Sequence, residues 1–106
     1  MQLNIKDRIY FPSILPKTGT FMEFNLKKSI INKVAITESD KKKFKIETNQ
    51  SAGMITWDSE KDIAEPLEVS FTADELEFLK KSCELLSDKD NADDFWIVVE
   101  KIYNSL

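Results

Sequence analysis

The chain has 106 residues, 42% of them apolar and 32% charged, with a net charge of −4, no histidine, one cysteine and two glycines. It is too apolar for a disordered chain and long enough to bury roughly two-thirds of its unfolded surface, so it reads as a single globular domain over 1–106. The composition argues against several chemistries: there is no histidine to activate Cys83 or a serine, too little Cys or His for zinc, and no glycine-rich phosphate loop.

The charge is divided by position. Residues 1–48 carry ten Lys/Arg against five Asp/Glu, and residues 49–106 carry five against fourteen. Such a split is an argument about association, not about fold. No stretch approaches the ~20 apolar residues of a membrane helix. Met1 to Arg8 also lacks the pattern of a signal peptide, so a cytoplasmic location is expected.

In chain order, Asn4 reads as an N-cap, with Asp7 in the first turn and Ile5, Arg8 and Ile9 at helical spacing. Pro12 and Pro16 predict that regular helix stops near Phe11, and Lys17-Thr18-Gly19 reads as a turn. Residues 20–36 fit strand or helix; the favoured reading is helix over 24–35 with an extended lead-in at 20–23. Thr37 with Asp40 predicts a second cap and a short helix through Phe44.

Lys45–Thr48, Met54–Trp57 and Leu67–Phe71 read as strands, with Asn49 to Gly53 as a loop in which Gly53 supplies positive φ. Residues 58–65 read as a charged turn. Thr72-Ala73-Asp74-Glu75 is a capping box, with Phe71 and Leu76 placed as a staple. Behind it Leu76, Leu79, Cys83 and Leu86 form a stripe, widened by Phe78 and Leu85. After a loop at 87–91, Phe95, Val98, Val99, Ile102 and Leu106 line a last helix. The expected class is α+β: a small three-stranded antiparallel sheet covered by helices, with a C-terminal antiparallel helical hairpin.

Candidate sites follow from charge and aromaticity. An EF-hand loop starting at Asp88 would require a ligand, a glycine and a glutamate where Ala92, Asp93 and Val99 stand, so Asp93 and Asp94 read instead as first-turn residues favouring the helix dipole. Lys41, Lys42, Lys43 and Lys45, aided by Lys27, Lys28 and Lys33, form a basic patch. It could face phosphates, although Arg8 is the only arginine available for guanine readout. Cys83, on an apolar stripe, reads as an inert buried thiol.

The order of these features resembles a set of small proteins encoded by tailed phages and prophages. The residues that carry the resemblance are Ile5-Lys6-Asp7-Arg8, Leu15-Pro16 with Gly19, Thr56-Trp57, Phe71-Thr72 with Glu75, Leu76 and Leu79, and Tyr103. The resemblance implies a structural or assembly context and assigns no activity and no functional residue.

The expectation is a non-catalytic protein-interaction module without a cofactor or small-molecule substrate, in the host cytoplasm or on a virion. Lys41, Lys42, Lys43 and Lys45 of one molecule would meet Asp88, Asp90, Asp93 and Asp94 of another, head to tail. The alternative is a nucleic-acid-associated regulator using the same lysines. A third reading pairs the opposite charges within the monomer and leaves an apolar partner site, around Trp96 and Tyr103.

Overall fold

The computed structural model describes residues 1–49, 51 and 53–106. Ten elements follow one another: β1 (Gln2–Leu3), α1 (Ile5–Ile14), α2 (Phe21–Val34), α3 (Glu38–Lys43), β2 (Glu47–Asn49), β3 (Met54–Thr56), α4 (Ser59–Ala64), β4 (Leu67–Glu68), α5 (Ala73–Leu85) and α6 (Asp93–Asn104). The protein is therefore mixed helix and strand. The strands do not form one three-stranded sheet: β1 pairs antiparallel with β4, and β2 pairs antiparallel with β3 as a separate hairpin.

The expected three-stranded sheet is absent for a physical reason. The Leu67–Phe71 segment pairs only at Leu67 and Glu68, and its partner is the chain start, where Leu3 lies opposite Leu67 and the Val69 amide donates to the Met1 carbonyl at 2.9 Å. Leu3 is buried in the core, whereas every residue of β2 and β3 is exposed. Pairing with β1 thus anchors the segment in apolar surroundings that β3 does not offer. Two members of the hairpin loop, Gln50 and Ala52, lie outside the described residues. Gly53 has φ +63° with open space around its Cα, as the loop reading requires.

Three helix boundaries differ from the sequence expectation. α1 continues through Pro12 to Ile14. An internal proline costs about 3 kcal/mol, but Phe11, Ile14 and Leu15 are all buried around it, and burying one such side chain is worth about 1.5–3 kcal/mol. α2 begins at Phe21, because Thr20 caps it and Glu23 returns to the Thr20 amide at 2.9 Å, so residues 21–23 are helical. The run at 58–65 is not a turn but contains α4, capped by Asp58, whose side chain accepts from the Lys61 amide at 3.1 Å.

The strand expected to start at Lys45 starts at Glu47. Lys45 has φ 52°, the Ile46 amide donates to the Lys41 carbonyl at 2.9 Å, and the Lys45 amide reaches the Lys42 carbonyl at 3.4 Å. This is a Schellman ending for α3, with a lysine at the left-handed position that normally takes glycine.

The core gathers Leu3, Phe11, Ile14, Ile30, Val34, Phe78, Leu79, Val98 and Ile102 from α1, α2, α5, α6 and β1. The stripe read for α6 is buried at Phe95, Val98, Val99 and Ile102, while Leu106 is exposed. α5 and α6 run in opposite directions: Tyr103 and Leu106 share a groove with Leu76, and Trp96 shares one with Cys83 and Ser87.

Two stability changes are expected. Phe11→Ala should cost about 3–5 kcal/mol in denaturant unfolding through the cavity it leaves. Lys45→Gly should stabilise by up to about 1 kcal/mol by relieving the left-handed lysine; an unchanged or lowered midpoint would count against that strain.

Candidate interaction surface

The polar framework is built from helix caps. Four capping boxes occur among the described residues: Asn4–Asp7 for α1, Thr20–Glu23 for α2, Thr37–Asp40 for α3 and Thr72–Glu75 for α5. In each, the acid closes its own helix and also binds a cation from another helix. Asp7 takes Lys101 of α6, Glu23 takes Lys81 of α5 at 3.4 Å, Asp40 takes Arg8 of α1 at 2.7 Å, and Glu75 takes Lys33 of α2.

Glu75 is the most enclosed of the four acids, with its side chain 2% exposed. Its carboxylate accepts from the Thr72 amide at 2.8 Å, from the Ser29 hydroxyl at 2.8 Å and from the Lys33 ammonium. Burial opposes the charge, but Lys33, the Thr72 amide and Ser29 together bring the pKa down from 4.5 to about 2. Asp40 is likewise held below its ordinary value: burial opposes this, and the Thr37 amide and Arg8 prevail.

Arg8 is buried and does more than pair. Its Nε donates to the Val34 carbonyl at 3.0 Å and its Nη2 to the Ala35 carbonyl at 2.6 Å, satisfying orphan carbonyls at the α2 C-terminus. Asp62 on α4 accepts from the Ile5 amide at 2.9 Å and so joins α4 to the start of α1.

The charged candidates from the sequence are dispersed. Lys41 pairs with Glu38 at 3.0 Å and Lys43 with Glu65 at 3.3 Å; Lys42 and Lys45 are exposed. Asp94 is taken by Lys6 and by the Tyr10 hydroxyl at 2.8 Å. The Lys6 and Tyr10 hydrogen bonds lower the Asp94 pKa. Asp88, Asp90 and Asp93 are exposed, and among the described residues none is joined to a basic side chain. Asp93 and Asp94 do occupy the first turn of α6.

Trp96 and Tyr103 are brought together. With Cys83, Glu84, Ser87, Val99 and Glu100 they line a shallow groove of about 360 Å³ between α5 and α6, where the Tyr103 hydroxyl donates to Glu84 at 3.1 Å. The Cys83 thiol is buried there, and burial followed by the Glu84 charge pushes its pKa up to about 11.

A larger surface lies between α2 and α5. Met22, Leu26 and Phe78, with Glu23, Asn25, Asp74, Glu77 and Lys81, line a groove of about 550 Å³. Met22, which lines it, is 77% exposed; Phe21, also 77% exposed, and Phe24, 47% exposed, stack on each other at 6.5 Å on the same helix but outside that lining. Reading 20–23 as extended hides this surface in the sequence, because only a helix starting at Phe21 sets Phe21 and Phe24 one turn apart.

Among the described residues, no helix is long and apolar enough to cross a membrane, and no group of three His, Cys, Asp or Glu side chains is set to hold a metal. Comparison with protein-family models, with curated proteins and with solved structures finds no match for this chain.

The depressed Glu75 pKa has a definite sign. The unfolded chain takes up its proton near pH 4.5 and the folded chain only near pH 2, so the stabilisation is complete above the ordinary value and is lost as pH falls between the two. Glu75→Gln should lower stability at pH 7 and flatten the fall in unfolding free energy between those pH values. A pH profile parallel to wild type would contradict the assignment.

Proposed function

We propose that the chain is a non-catalytic protein-interaction module whose partner surface is the α2–α5 groove. The observation that carries this reading is a cleft of about 550 Å³ lined by Met22, Leu26 and Phe78, with Met22 77% exposed and a further exposed apolar pair, Phe21 and Phe24, on the same helix. Large apolar side chains clustered at a concave surface mark interaction sites, whereas singly scattered ones do not. We further read the protein, from its motif order, as an accessory of phage or prophage assembly, acting in the host cytoplasm or on the virion.

Association through the basic and acidic halves has less support than this apolar contact. Asp94, Lys41 and Lys43 already have partners within the chain. The nucleic-acid alternative is weakened by the same geometry, since Glu38 and Glu65 sit beside the lysines that phosphates would have to reach. Lys33 is taken by Glu75 and Lys27 by the Pro16 carbonyl, so Lys28, Lys42 and Lys45 are left, fewer than the phosphate contacts such binding needs.

The reading is tested by affinity capture with wild type and with a Phe21→Ser/Met22→Ser variant, whose exposed positions should leave the unfolding midpoint within about 0.5 kcal/mol. A protein partner held by wild type and released by the variant is expected. Identical captured proteins from both chains would refute this surface.

A further inference from the structure

The lining of the α2–α5 groove is chemically selective. Its apolar lining comes from Leu26 on α2 and Phe78 on α5, with the 77% exposed Met22 at its edge. Four charged side chains line it, Glu23, Asp74, Glu77 and Lys81, and the one cation is occupied by Glu23 at 3.4 Å. Asp74 and Glu77 are exposed, and among the described residues neither is joined to a basic side chain. The groove thus presents an apolar lining beside an uncompensated acidic lip.

Its shape also restricts the occupant. α2 and α5 run antiparallel, because Glu23 near the start of α2 meets Lys81 late in α5, while Lys33 near the end of α2 meets Glu75 at the start of α5. Both walls are helical and fully hydrogen-bonded, so they offer no free strand edge for β-augmentation. A trough between two packed helices accepts the ridge formed by side chains at i, i+3, i+4 and i+7 of a third helix. The lining from Asp74 to Lys81 covers about two turns of α5, or roughly 11 Å.

Resting on the interaction-module reading, we infer that the α2–α5 groove binds an amphipathic helix of a partner protein, with two or three apolar side chains over Met22, Leu26 and Phe78 and lysine or arginine facing Asp74 and Glu77. Charge complementarity selects the basic flank: an acidic helix would meet three carboxylates, Glu23, Asp74 and Glu77, against the single ammonium of Lys81.

The test uses a fluorescent peptide of about fifteen residues with leucines at i, i+3, i+4 and i+7 and lysines flanking them. Two controls accompany it, a scrambled peptide of the same composition and a version with glutamate for lysine. Fluorescence anisotropy should rise saturably with the amphipathic basic peptide and with neither control. Asp74→Asn/Glu77→Gln should weaken binding by about tenfold, as the loss of two exposed ion pairs would, and Met22→Glu should abolish it.

Equal binding of the scrambled peptide, or no effect of either variant, would overturn the inference. So would concentration-dependent dimerisation lost in Met22→Glu, since a second copy would then fill the groove. If no peptide binds but capture still distinguishes wild type from the Phe21→Ser/Met22→Ser variant, the occupant is wrong and the module reading survives. If both experiments fail, both readings fall.

Discussion

The arrangement on which the structure depends is the double use of the acid three residues after the caps of α1, α2, α3 and α5. Asp7, Glu23, Asp40 and Glu75 each close a helix N-terminus, where a carboxylate satisfies orphan amides and favours the helix dipole. Each then holds a cation on another helix: Lys101, Lys81, Arg8 and Lys33. A cap alone is worth about 1 kcal/mol and an exposed ion pair less than that. When one carboxylate serves both, a local start signal becomes a tertiary joint: α1 to α6, α3 to α1, and α2 to α5 in both directions. The apolar core sets the energy of folding, and these joints set which helix ends meet.

The division of charge along the chain acquires a structural meaning from the same joints. Lys6, Lys33, Lys43 and the N-terminal ammonium, all from the basic half, meet Asp94, Glu75, Glu65 and Glu68 from the acidic half. The two halves are folded against each other, and much of their opposition is resolved inside one molecule. Among the surfaces that remain outward is the α2–α5 groove with its acidic lip. Glu75 connects the two aspects, since its bonds to Ser29 and Lys33 fix the spacing of the helices that form that groove.

The caps were legible in the sequence because their signal spans four residues: Asn4 with Asp7, Thr37 with Asp40, and Thr72 with Glu75. The fourth, Thr20 with Glu23, was obscured by the near-alternation of Phe21, Met22 and Phe24, which imitates a strand. The faces of α5 and α6 could also be read, since Phe78, Leu79, Cys83, Phe95, Val98, Val99 and Ile102 recur at helical spacing. The pairing of β4 with β1 could not, because two residues at each end of a long separation carry no periodicity. The partners of the caps were hidden for a similar reason: Lys101 lies 94 residues from Asp7, and nothing local distinguishes it from a solvated lysine. The groove was invisible without the placement of α2 beside α5.

The central claim is that the opposite charges of the two halves are taken up within the monomer and do not drive assembly. Solution mass by size exclusion with light scattering, at about 50 mM salt and again at about 500 mM, tests it directly because exposed charge contacts are screened over that range. The account predicts a single species near the 12.3 kDa of one chain under both conditions. A defined oligomer at low salt that dissociates at high salt would contradict it.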